Sequence, residues 1–196
     1  MRQLRLGFAL AATFLICGLQ ARAQNFDASG SSEYLIKAGF IYNFAKLVEW
    51  PTAAFTNSGQ PIVIGVLGND SFAATLERVV DGKQVELHPF LVKRLRSPKE
   101  SKECACHKEH VASAFFVASA ESLHADEIIQ LLKGTSVLTI AEIPGFTKQG
   151  GIINFVLEDS KVRFEVNVDA AKQGGLTISS RLLSLAKIVQ TNTTSR

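Results

Sequence analysis

The chain has 196 residues, 46% of them hydrophobic, with 21 Lys and Arg against 18 Asp and Glu. That length fits one domain with a single core and no need of disulfide support. Arg2, Arg5 and Arg22 belong to an N-terminal targeting segment; without them 18 basic residues face 18 acidic ones, and the electrostatic case for a nucleic-acid partner disappears.

The targeting segment reads as a secretory signal peptide over residues 1–23. Arg2 and Arg5 open it, Leu6 to Leu19 form an apolar run too short to span a membrane, and Ala21-Arg22-Ala23 is a small-x-small cleavage site. The mature chain then begins at Gln24. Cys17 follows Ile16, where a lipoprotein would carry a small residue, so no lipid anchor is expected. Residues 24–32 are small and polar, and read as a linker to a domain over 33–190.

Glu33 to Glu49 predicts a long helix, stopped by Trp50-Pro51 because the residue before proline disfavours helical geometry. Tyr34, Ile36, Phe40, Ile41, Phe44, Ala45, Leu47 and Val48 gather in one apolar arc, with Gly39, Asn43, Lys46 and Glu49 opposite. Lys37 falls inside the arc and must meet a carboxylate or reach out to solvent. After a loop over 52–60, Pro61 to Leu67 predicts a buried strand, and Gly68-Asn69-Asp70-Ser71 turns it into a capped helix, Phe72 to Val80. Gln84 to Leu95 is a second strand region, interrupted by Pro89, and residues 97–110 are charged and irregular.

Val111 to Ala118 predicts a third strand, Glu121 to Lys133 a helix ended by Gly134, and Val137 to Ala141 a fourth strand. Pro144-Gly145-Phe146 is a turn. The best-specified piece follows: Gly150 to Val156, almost continuously apolar, then the turn Glu158-Asp159-Ser160, then Val162 to Val168. In the last run Val162, Phe164, Val166 and Val168 alternate with Arg163, Glu165 and Asn167, the signature of a strand with two different faces. Asp169 to Gly174 is one capped helical turn, Ser179 to Val189 a final amphipathic helix, and residues 191–196 a polar tail. Strands alternating with helices predict an α/β fold: a single-domain layered sheet with helices on both faces and a C-terminal antiparallel hairpin. If the first helix packs on the hairpin, Glu165 is a candidate anion for Lys37; the competing reading has Lys37 reaching solvent and Glu165 facing water.

The stretch from Tyr34 to Pro51 (YLIKAGFIYNFAKLVEWP) resembles the opening helix of the YfiR family, also called YfiR/HmsC-like. The segments Ile64 to Gly68, Leu138 to Ile140, Gly150 to Asn154, Arg163 to Asn167 and Gly175 to Leu183 are similar to that family in the same order. The resemblance covers nearly the whole mature chain. It implies a periplasmic regulator, not an enzyme, that restrains an inner-membrane diguanylate cyclase by binding its periplasmic sensor domain, and so governs cyclic di-GMP and biofilm formation. The protein would be peripheral to the membrane through that partner, a homodimer is compatible with it, and no cofactor is implied. The positions carried over as partner-binding or structural candidates are Lys37, Asn43, Trp50, Asn154, Arg163, Glu165, Asn167, Ser179, Ser180 and Arg181.

The cysteines depart from the family, whose members often carry further cysteines able to form intrachain disulfides. Only Cys104 and Cys106 lie beyond the signal segment, one residue apart, and a bridge across one residue is strained. With His107 and His110 they could offer soft metal ligands, but structural zinc sites space their cysteines more widely, so no metal is expected. Gly68-Asn69-Asp70 lacks the dinucleotide glycine pattern and reads as a helix cap. Gly150-Gly151 suits a turn with positive φ or an anion nest, and Ser179-Ser180-Arg181 a helix cap or an anion site. The alternative to a cyclase regulator is a periplasmic small-ligand or metal-binding protein.

Overall fold

A computed structural model describes residues 28–55, 57–100 and 112–190. The signal segment, Cys104, Cys106, His107, His110 and the tail over 191–196 lie outside the described residues.

The first helix, α1, runs from Ala28 to Leu47. It starts inside the stretch expected to be linker and gives way at Val48 to a short strand, β1 (Val48–Glu49). This strand pairs antiparallel with β9 (Thr177–Ile178), so backbone pairing has drawn the last two residues of the expected helix into extended geometry ahead of Pro51. The buried stripe is Lys37, Ala38, Ile41, Phe44, Ala45 and Val48. Ile36, assigned to the apolar arc, is 47% exposed beside Leu35. The stripe passes through 37 and 38, 41, 44 and 45, and 48, the natural advance of a 3.6-residue helix, and position 36 lies off it.

The body of the protein is a mixed sheet of eight strands among the described residues, in the order β10-β8-β7-β6-β5-β2-β4-β3. β2 (Ile62–Leu67) is flanked by β4 (His88–Leu95) and β5 (Ala112–Val117), both parallel to it. Parallel pairing continues through β6 (Leu138–Ala141) to β7 (Ile153–Glu158). β8 (Lys161–Val166) then returns antiparallel to β7, as the hairpin pattern predicts. The turn between them places Asp159 at φ 49° and Ser160 at φ 59°, the two positive φ values of a type I′ turn, whose twist matches that of the flanking strands.

Helices cover both faces, because alternate residues of the central strands point to opposite sides. Ile62, Ile64, Val66, Ala114, Phe116, Leu138, Ile140, Ile153, Phe155, Phe164 and Val166 meet α1 and α2 (Asp70–Val80). Val63, Leu67, Phe115, Val117 and Ala141 meet α3 (Ala125–Leu132), Ile143 and Phe146. On the first face Phe44 lies 5.0 Å from Phe164 and 5.7 Å from Phe155 between ring centres, and Phe72 lies 4.2 Å from Phe116. Each such ring contributes about 1.5–3 kcal/mol by leaving water.

Four expectations change at element boundaries. The helix expected from Glu121 begins as a 3-10 segment, Ser119–His124, and becomes α-helical only at Ala125; Glu121 at φ −96°, ψ 18° marks the kink. The break in the second strand region falls not at Pro89 but three residues earlier, where Glu86 takes φ 54° between β3 (Gln84–Val85) and β4; Pro89 precedes the first β4 residue paired with β2. The helical turn after β8, α4 (Val168–Gln173), is capped by Asn167. The final helix is one turn only, α5 (Ser180–Leu183); the chain then forms β10 (Lys187–Ile188) alongside β8. Its apolar residues could serve a helix or an edge strand, and pairing with β8 decides for the strand.

Candidate functional site

In a doubly wound sheet the natural ligand crevice opens at the carboxyl ends of the strands, where the winding reverses. Here the reversal lies between β2 and β5. Their ends are tied by Ala118 N–H donating to the Leu67 carbonyl at 3.0 Å. Gly68 follows β2 at φ 83°, and a Cβ there would lie 2.5 Å from Glu121 Cγ, so the Glu121 side chain lies across the glycine. Glu121 in turn holds His124 at 2.8 Å. Asn69 caps α2 through Phe72 N–H at 2.8 Å and donates its amide to the Tyr34 hydroxyl at 2.6 Å.

The same edge contains the strongest electrostatic feature of the described residues. Lys37 is 4% exposed. Its ammonium meets Glu142, the first residue after β6, at 2.5 Å, and also bonds Glu33 one helical turn earlier. Glu142 accepts further bonds from the Ser119 N–H at 3.2 Å and the Ser119 hydroxyl at 3.3 Å. Burial alone drives the Lys37 ammonium toward its neutral form; hydrogen bonds and charge from Glu142 and Glu33 outweigh burial and hold its pKa above the ordinary lysine value. Tyr34, Lys37 and Glu142 thus line the place at which such a sheet would present a ligand, a recess of about 440 Å³.

The expected pairing of Lys37 with Glu165 is not formed. Phe164 and Val166 face α1, so the alternation of β8 turns Glu165 to the opposite face. There Glu165 accepts the Thr147 hydroxyl at 3.0 Å and meets Lys187 of β10 at 3.5 Å.

Three of the carried-over residues converge on the segment joining β6 to β7. Asn154, 1% exposed, accepts the Ile143 N–H at 2.9 Å. Asn167, fully buried, donates to the Thr147 carbonyl at 2.7 Å and accepts the Ala170 N–H at 2.9 Å. With Glu165 they fasten the 143–147 loop from three sides around Thr147, itself 0% exposed. Gly151 completes the knot by absence: a Cβ there would lie 2.1 Å from the Phe146 ring. The Gly-Gly pair therefore has two roles, a positive φ of 111° at Gly150 and close approach at Gly151.

The other candidates lie apart. Trp50 donates its indole N–H to the Ser113 carbonyl at 3.2 Å, and the exposed Asn43 bonds Gly39 of its own helix at 2.9 Å. Ser179 caps α5 through Leu182 N–H at 3.2 Å, while Ser180 and Arg181 are exposed on that turn. Arg163 is exposed on β8 without an ion-pair partner among the described residues. Three residues were not singled out from the sequence: Glu142, Thr147, and Thr139, whose hydroxyl accepts the Ile152 N–H at 3.0 Å. Glu142 had a signal, a carboxylate directly after an apolar parallel strand; Thr139 and Thr147 had none beyond a hydroxyl among apolar neighbours.

This arrangement positions backbone. His88 and His124, the histidines among the described residues, bond the Gln60 carbonyl and the Glu121 carboxylate rather than a nucleophile. No group of three or more His, Cys, Asp and Glu able to hold a metal occurs among the described residues, nor any helix long and apolar enough to cross a membrane.

Fold and site define a doubly wound α/β domain whose strand-end crevice is lined by the Lys37–Glu142 ion pair. Residues 34–187 match the YfiR/HmsC-like family, and the chain belongs to it. A search of curated proteins gave no match. Among solved structures, a conserved domain protein from Vibrio cholerae O1 biovar El Tor is similar at a TM-score of 0.55 and 11% identity, over 79% of this chain. The chain spans 59% of the length of that protein, and at this identity the likeness is one of fold.

Proposed function

We propose that this protein is a periplasmic regulatory binding protein that represses an inner-membrane diguanylate cyclase by holding its periplasmic domain. The family match over residues 34–187 carries this reading. The geometry supports it in two ways. At the strand ends Lys37 and Glu142 are committed to each other and to Ser119 and Glu33, a structural use of the charged groups that suits a binding frame. The β7–β8–β10 end of the sheet, braced by the Thr147 knot, presents Leu157, Leu185 and Ile188, each more than half exposed. Exposed apolar residues on a rigid frame suit a protein partner.

In this reading residues 1–23 direct export and are removed, and the domain over 33–190 acts from the periplasm. Deleting the gene then raises cyclic di-GMP, and the protein co-purifies with a membrane cyclase identified by mass spectrometry. Unchanged cyclic di-GMP in a strain that expresses the captured partner removes the regulatory reading. A periplasmic protein whose N-terminus precedes Gln24 removes the export reading.

A further inference from the structure

A second recess lies at the other end of the sheet from the Lys37 cluster, near the start of β2. It encloses about 650 Å³ between the end of α1, the segment Glu49–Phe55 and the turn joining β3 to β4. That volume is in the range of small-molecule sites.

Its walls are aromatic and held in place. Trp50 is anchored by its bond to the Ser113 carbonyl and meets Phe55 edge-on at 6.2 Å. Phe55 stacks on His88 at 4.3 Å, and His88 Nδ1 donates to the Gln60 carbonyl at 2.7 Å.

Its rim is acidic. Glu49 and Glu86 both line the recess and have no ion-pair partner among the described residues. The one lysine on the lining, Lys46, has its ammonium 5.5 Å from the centre of the Tyr42 ring, and Tyr42 is not part of the lining. Glu86 holds φ 54°, a conformation glycine adopts without strain. It is the first residue of the two-residue turn that joins β3 to β4, and the turn sets its side chain at the rim.

We infer that this recess binds a small quaternary ammonium ion of the choline type, seated against Trp50, Phe55 and His88 and balanced by Glu49 and Glu86. Aromatic faces attract a cation through their quadrupoles, and a quaternary ammonium sheds water more readily than a primary one. A free carboxylate at the rim adds charge complementarity. The inference does not depend on the cyclase reading.

Trp50 is the single tryptophan of the chain, so its fluorescence reports on the recess directly. The mature protein is titrated with choline chloride and, separately, with 3,3-dimethylbutanol, which has the same shape without the charge. Choline is expected to give a saturable change in Trp50 emission below about 10 mM, at least about tenfold tighter than the alcohol. Glu49→Gln with Glu86→Gln keeps shape at two exposed positions, and is expected to weaken choline about tenfold while leaving the circular dichroism spectrum intact. Phe55→Leu, followed by calorimetry, is expected to weaken choline and not the alcohol. Equal affinity for the two probes, no saturable response to choline, or unchanged binding in the double variant overturns the inference.

Discussion

Lys37 on α1 and Glu142 at the end of β6 are 105 positions apart in sequence and 2.5 Å apart in the fold. The pair fixes the opening helix to the carboxyl edge of the sheet, with Glu33 on the same ammonium. Removing one partner leaves a buried charge uncompensated, which typically costs about 3–5 kcal/mol. Lys37→Met is therefore expected to destabilise by about that amount in urea unfolding, and Glu142→Gln, which leaves Glu33 on the ammonium, by less, with a coupling term of about 0.5–3 kcal/mol in the double variant. Lys37→Met with Glu165→Gln is expected to be additive, because those side chains lie on opposite faces of the sheet. Strong coupling between Lys37 and Glu165 contradicts this placement.

The same cluster predicts a pH dependence at the alkaline end. The folded pKa of Lys37 is raised above the unfolded value of 10.5. A raised cationic pKa means that the folded state binds the proton more tightly. Its contribution is fully present below the unfolded value and is lost as pH rises from there through the folded one. Stability measured from pH 9 to 12 is expected to fall more steeply in the parent than in Lys37→Met. Parallel curves for the two proteins contradict the assignment.

Gly151 tests the close packing of the β6–β7 connection. Gly151→Ala places a methyl 2.1 Å from a Phe146 ring atom, and Phe146 is fully buried. Overpacking of this kind costs about 1–3 kcal/mol or more. Phe146→Leu in the same chain makes room and is expected to recover part of the loss, giving favourable coupling. Gly134→Ala is the contrast, with open space around the Cβ but a positive φ of 73°. Its loss, about 1–2 kcal/mol from backbone strain, is expected to persist in the Phe146→Leu background. A Gly151→Ala protein as stable as the parent contradicts the packing.

Much of this fold is legible locally. The apolar run of β2, the Asn69 cap and the alternation of β8 each state their element within a few residues, and Asp159-Ser160 announces the hairpin. What could not be read depends on partners remote in sequence. Val48 and Glu49 look helical until Thr177 and Ile178 pair with them, and Lys187 and Ile188 look helical until β8 does. The alternation of β8 contained the answer on Glu165: if Phe164 faces the helix, Glu165 cannot. The site was legible as a set of residues and not as roles. Asn154, Glu165 and Asn167 were among the residues singled out, and all three bond the 143–147 segment, Asn154 at Ile143 and the other two at Thr147, which no spacing rule connects to them.

The hairpin turn offers a prediction of the opposite sign. Asp159 and Ser160 both sit at positive φ, where a Cβ approaches backbone oxygen at about 1–2 kcal/mol per residue. Aspartate relieves part of this through local hydrogen bonding, and serine tolerates the region less well. Glycine at the second position removes the clash but adds freedom to the unfolded chain, an effect of about 0.4–1 kcal/mol in the other direction. Ser160 is exposed at the turn, so its hydroxyl is not lost to a core. Ser160→Gly is therefore expected to stabilise by about 0.5–1 kcal/mol, seen as a higher urea midpoint at unchanged slope. Ser160→Val, whose branched side chain is least compatible with positive φ, is expected to destabilise by more than about 1 kcal/mol. If glycine and valine shift the midpoint in the same direction, the turn does not hold these angles in solution and the register Glu158 to Lys161 is set by the strands alone.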